Sequence, residues 1–112
     1  MMDLQRWKTQ FKKGYLELCI LSLVEQKTKV YGFEMIEALG KLELRVKEGT
    51  LYPLLHRLRE DGLLEAKWET ESSTHPRKFY FITGKGKKAL SMMEQEFEDM
   101  RNKLSLIKQG RE

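Results

Sequence analysis

Apolar and polar positions along the chain divide it into six predicted elements. From Leu4 to Glu25 the pattern reads as a helix. Its carboxyl half, with Tyr15, Leu16, Leu18, Cys19, Ile20, Leu21, Leu23 and Val24, is apolar nearly all round. Such a helix is covered on several sides. Its amino half carries Arg6, Lys8, Lys12 and Lys13 and belongs at a surface, where Trp7 and Phe11, four apart, share a face. A second helix is predicted from Tyr31 to Lys41, with Phe33, Ile36 and Leu39 at core spacing and Gly40 weakening or ending it. The third is the clearest. Leu51, Leu54, Leu55 and Leu58 follow the i, i+3, i+4, i+7 pattern of a core stripe. Gly49, Tyr52, Pro53, His56 and Glu60 fall on the opposite face. Pro53 places the helix start near Lys47 to Thr50, because proline fits a first turn best, and Gly62 supplies the stop.

Beyond Gly62 the period changes to two. Leu64, Ala66, Trp68 and Thr70 alternate with Glu65, Lys67, Glu69 and Glu71, the pattern of a half-buried strand. Trp68 is expected to pack that strand onto the helices. The cluster Ser72-Ser73-Thr74-His75-Pro76 is a turn, and the residues from Lys78 to Thr83 form the returning strand of a hairpin. On that strand Phe81 faces away from Tyr80 and Ile82. Thr83 is a suitable N-cap for a last helix from Gly84 to Gln109. Along it Leu90, Met93, Phe97, Met100, Leu104 and Ile107 step by three and four in alternation, an a/d seam. At ~1.5 Å per residue this rod is roughly 37 Å long. A small domain cannot cover it, so the seam calls for a partner.

Three helices, a hairpin and a long helix make a mainly α fold with a β-hairpin wing: a winged helix-turn-helix over residues 1–83, including an amino-terminal helical arm, and a dimerisation helix over residues 84–112. The 112 residues, 40% hydrophobic and 34% charged with only two prolines, suit one small globular unit. The longest apolar stretch, Tyr15 to Val24, is interrupted by Glu17 and too short to span a bilayer. The opening MMDLQRWKTQFKKG has no apolar run before a small-residue cleavage site, so a cytoplasmic location is expected. One cysteine excludes an intramolecular disulfide and, with two histidines, argues against a metal cage. No cofactor motif, phosphate loop or nucleophile–base pair stands out, so an enzyme is not expected. The net charge of +4 says little alone, but its distribution says more. Residues 75–90 carry Arg77, Lys78, Lys85, Lys87 and Lys88 with no acid, whereas Glu94, Glu96, Glu98 and Asp99 follow closely. Lys85, Lys87 and Lys88 sit at the positive end of the last helix, where a phosphate would relieve their repulsion; a screened, solvated cluster is the alternative.

Four stretches, KKGYLELCILSLV at 12–24, YGFEMIEAL at 31–39, EGTLYPLLHRLREDGLL at 48–64 and RKFYFITGKGKKAL at 77–90, resemble the PadR transcriptional regulators in the right order, and the short last helix is similar to the small branch of that family. The resemblance implies a homodimeric repressor that binds double-stranded DNA at a pseudo-palindromic operator. The Gly-Thr-Leu-Tyr-Pro segment of the family lies at the DNA, which carries that role to Gly49, Thr50, Tyr52 and Pro53. Tyr31 and Gly32 match its phosphate-contacting corner, and Arg77 and Lys78 its wing base. The physics agrees: a helix in the major groove needs a polar amino end, which Lys47, Glu48, Thr50, Tyr52, His56 and Arg57 provide. Lys47 stands where the family often has a Ser or Asn cap, and His56 is either a base reader or an ordinary surface histidine. In the multidrug-sensing branch, aromatic residues of the last helix flank a drug pocket. Phe97 therefore either fills the dimer seam or, with Trp7, Phe11 and Met93, lines a pocket for a small aromatic effector. A winged-helix protein-interaction module without DNA binding is the alternative function.

Overall fold

A computed structural model describes residues 3–69 and 75–111. The order is α1 (Leu4–Lys27), β1 (Val30–Tyr31), α2 (Gly32–Lys41), α3 (Glu48–Glu60), β2 (Leu64–Glu69), β3 (Arg77–Ile82) and α4 (Gly84–Lys108). The fold is mostly helical with a small antiparallel sheet of order β1-β3-β2 as its wing, as expected. Thr70, Glu71 and the turn residues Ser72, Ser73 and Thr74 lie outside the described residues.

The core forms where the amphipathic faces meet. Ile20, Leu21 and Val24 of α1, Met35 and Leu39 of α2, Leu51, Leu54, Leu55 and Leu58 of α3, Leu64 of β2, Tyr80 of β3 and Leu90 of α4 are all buried, and no described polar or charged residue other than Tyr80 joins them. Truncating a fully buried leucine such as Leu55 to alanine removes about 2–5 kcal/mol of stability. Glu17 of α1 forms an ion pair with Arg57 of α3, tying the two helices at the surface.

Helix ends follow local chemistry. Asp3 caps α1, accepting from the Arg6 N–H at 3.2 Å. After α3, Gly62 adopts φ +78°, its N–H bonding the Arg59 carbonyl and that of Leu63 the Leu58 carbonyl, both at 2.9 Å. This is the paired closing pattern that a left-handed residue permits. Thr83 caps α4, its Oγ1 accepting from the Gly86 N–H at 2.9 Å and lying 2.7 Å from the Gly62 carbonyl. One side chain thus ties the end of α3 to the start of α4.

Several expectations need correction. The two-residue strand β1 was too short to show a period; it pairs with β3, Val30 opposite Tyr80 and Tyr31 opposite Phe79. Because β1 holds Tyr31 extended, α2 begins one residue late, and its buried face is Gly32, Met35 and Leu39. Phe33, expected in the core, is exposed. Gly40 does not end α2. The helix runs to Lys41 and closes through Glu43 at φ 62°, whose N–H bonds the Gly40 carbonyl. Pro53 lies in the second turn of α3, not the first, although the start at Glu48 falls in the expected window. Trp68 does not pack onto the helices: it stands exposed on β2. Leu90, expected in the dimer seam, is 2% exposed within its own domain, because the first turns of α4 lie against the core.

Candidate nucleic-acid interface

The leucine stripe of α3 faces inward, which turns Lys47, Glu48, Gly49, Thr50, Tyr52, Pro53 and His56 outward, all exposed. Lys47 occupies the N-cap position without a side-chain cap bond. Its carbonyl instead accepts from the N–H groups of Thr50 at 3.0 Å and Leu51 at 2.9 Å. His56 lies 3.4 Å from Glu60 one turn on. Arg57, placed with the polar face by sequence, is engaged by Glu17 instead.

Beside α3 the first turn of α2 forms a second wall. Glu34 Oε1 accepts from the Tyr31 N–H at 3.1 Å, holding that turn. Gly32 is buried directly beneath Tyr52: a Cβ there would lie 2.4 Å from the Tyr52 hydroxyl. The glycine is therefore a seat for the tyrosine, a role its sequence position did not disclose.

The wing supplies the third wall. The Arg77 guanidinium lies over the Tyr31 ring at 4.7 Å, and Tyr31 meets Phe79 edge-on at 5.4 Å. The Lys29 ammonium sits 4.5 Å from the Phe79 ring and 2.5 Å from Glu69. Lys78 lies 5.9 Å over the Trp68 ring. Each cation is thereby held against an aromatic face. Burial pushes the phenol of Tyr80 up from its ordinary value, with Arg59 opposing, so this floor residue stays neutral.

These walls enclose a cleft of about 400 Å³ whose lining holds no carboxylate among the described residues. It brings together Tyr31, Gly32, Tyr52, Arg77 and Lys78 from the sequence-predicted set. Lys47, Glu48, Gly49, Thr50, Pro53 and His56 do not line it; they form the adjoining outer face of α3. Phe33 and Trp68 also line the cleft, although helical or strand periodicity alone assigns both to the core.

A second region lies between α1 and α4. Phe11, Met93 and Phe97 line a groove of about 440 Å³, together with Gly14, Tyr15, Leu18, Met92, Glu96 and Met100. Trp7 is not among the lining residues but stacks on Phe11 at 5.3 Å, the first step of a chain of rings through Tyr15 to Phe97. A neighbouring apolar groove of about 460 Å³ includes Cys19, Leu23, Leu42 and Leu44. Burial pushes the Cys19 thiol up from its ordinary value, with a hydrogen bond from Tyr15 opposing. Farther along α4, Met100, Leu104 and Ile107 stand exposed. Lys85 reaches toward the end of α3: its Nζ would lie 3.6 Å from a Cβ on Gly62, near the carbonyl end that favours a cation. Among the described residues, no three potential metal ligands gather in one place, and no helix is long and apolar enough to cross a membrane.

The model of the transcriptional regulator PadR-like family matches residues 20–92 of this chain. A transcriptional regulator of Mycobacterium tuberculosis is 32% identical over 91 residues, 81% of this chain and 83% of that one. Among solved structures, a PadR-like transcription factor from Bacteroides fragilis is 39% identical at a TM-score of 0.78, covering 91% of this chain and 98% of the other. A PadR family regulator from Eggerthella lenta is 25% identical at a TM-score of 0.85, covering 93% and 90% respectively.

Proposed function

Because the chain belongs to the PadR-like family of transcriptional regulators, we propose that it is a sequence-specific DNA-binding regulator, a homodimeric repressor released from its operator by a small aromatic effector. The observation that carries this reading is the convergence of Tyr31, Gly32, Tyr52, Arg77 and Lys78 on one cleft beside the exposed polar face of α3. A major-groove helix presents its amino end to base edges while flanking cations neutralise phosphates. Thr50 and Tyr52 offer hydroxyls for base edges or phosphate oxygens. Gly49 is exposed and lets backbone approach closely. Lys47, Glu48, Pro53 and His56 complete the reading face, and Arg77 and Lys78 grip the backbone from the wing.

What α4 leaves uncovered supports the dimer. Met100, Leu104 and Ile107, each at least half exposed, continue a stripe that begins with Met93 and Phe97, and the apolar grooves beside α1 offer a surface for the same stripe of a second copy. Two such units would set their recognition helices about one DNA turn apart, roughly 34 Å, for a pseudo-palindromic site. The groove at Phe11, Met93 and Phe97 suits a flat apolar effector, and Trp7, stacked on Phe11, would report its entry by quenched fluorescence.

A mobility-shift titration with the promoter region of the protein's own gene tests the reading. A retarded complex is expected, with affinity falling steeply as salt rises. Arg77→Ala should weaken all sequences alike and lower the salt slope by about one, whereas changes at Thr50 or Tyr52 should alter sequence preference. No retarded complex at any protein concentration would contradict DNA binding and leave a protein-interaction module as the function.

A further inference from the structure

Phe33 and Trp68 both escape the core that their periodicity assigns them. Phe33 is 53% exposed and Trp68 64% exposed, and the two line the same cleft from different elements, Phe33 from the first turn of α2 and Trp68 from β2. Single exposed apolar side chains are ordinary on a protein surface. Two large aromatics in one cleft, with Tyr52 also 43% exposed there, form a patch that asks for an occupant. Lys78 lies against the Trp68 ring and Arg77 against Tyr31, and among the described residues the lining holds these two cations and no acid. The occupant must therefore present apolar surface and negative charge side by side.

A DNA strand does so: apolar deoxyribose faces alternate with phosphates along its edge. We infer that Phe33 and Trp68 are contact residues for the sugar–phosphate backbone, packing on deoxyribose while the Trp68 indole N–H donates to a phosphate oxygen and Lys78 and Arg77 neutralise it. Indole is a donor only, so it matches an oxyanion and not a base-edge donor. Its contribution is neutral in charge and blind to sequence. This inference rests on the DNA-binding reading and adds two residues to it.

Fluorescence-anisotropy titrations of a labelled promoter duplex over a series of salt concentrations test it. Phe33→Ala and Trp68→Ala should each lower affinity by about tenfold, for specific and unrelated duplexes alike. The salt slope should stay at the parent value, because neither change removes a charge, in contrast to Arg77→Ala. Both side chains are exposed, so thermal unfolding should show little change. In a Trp7→Phe background Trp68 is the sole tryptophan, and its emission should quench or shift as the complex forms. Parent-like affinity in both alanine variants, or unmoved Trp68 emission in a formed complex, overturns the inference while DNA binding stands. Failure of the parent protein to bind any duplex overturns the DNA-binding reading and this inference together.

Discussion

Tyr52 of α3 rests on Gly32 of α2 so closely that the glycine has no room for a Cβ, which would stand 2.4 Å from the phenolic oxygen. The glycine fixes where this exposed side chain of α3 points. Gly32→Ala is expected to push the half-exposed Tyr52 ring outward instead of disrupting the fold, since the crowded atom is the far end of a side chain. Stability should change by less than about 1 kcal/mol, while promoter affinity falls by about tenfold, the scale of one lost polar contact. Paired thermal-melting and mobility-shift measurements on the variant check both halves.

Gly86 gives the opposite outcome. A Cβ there would meet the backbone carbonyl oxygen of Leu63 at 2.1 Å and the Ile82 side chain at 2.8 Å. A backbone atom cannot swing away, so the α4 start must shift from the α3–β2 turn and strain the Thr83 cap. Gly86→Ala is expected to cost about 1–3 kcal/mol, read as a lowered midpoint in urea unfolding. A midpoint equal to that of the parent would show that α4 is not anchored through this contact.

Glu43 closes α2 with φ 62°, a conformation in which a side chain crowds the following carbonyl and which glycine adopts freely. Its side chain is exposed and has no part in the core. Glu43→Gly is therefore expected to raise stability by about 0.5–1 kcal/mol, with the Gly40 and Leu39 carbonyl bonds of the turn retained. Denaturant unfolding measures it, and a loss of stability would mean that the Glu43 side chain makes a compensating contact.

Cys19 is half-buried on α1, and burial raises its pKa. The thiolate, which is the reactive form, is therefore scarcer near neutral pH than in a free cysteine. Iodoacetamide should alkylate the folded protein more slowly than an unstructured cysteine peptide at pH 7–8, and the rate should climb at higher pH than for the peptide. A rate matching the peptide would contradict the buried environment.

Much of this architecture was legible in the chain. The leucine stripe of α3, the switch to alternation after Gly62 and the Thr83 cap set three boundaries, because each rests on local chemistry or a pattern repeated over several turns. What periodicity could not supply was tertiary. A ten-residue helix leaves two faces nearly equal, and only the extended Tyr31 of β1 decides that Met35, not Phe33, turns inward. The alternation of β2 groups Trp68 with the buried Leu64, yet at the far end of the strand the indole is exposed and lines a cleft instead of the core. Leu90 fits the α4 seam by spacing, but the domain's own core reaches it first. The cleft is partly written in sequence, through Tyr31, Tyr52, Arg77 and Lys78; the seat at Gly32 and the aromatic walls emerge only when three elements converge.

In the proposed assembly two copies act together on one duplex, held by the exposed Met100, Leu104 and Ile107 stripe of α4. Sedimentation equilibrium of the protein with a duplex spanning its own promoter site tests it most directly. The predicted result is a complex of two chains per duplex, and a dimer at micromolar concentration without DNA. Single chains under both conditions, or a complex holding one chain per duplex, would contradict it.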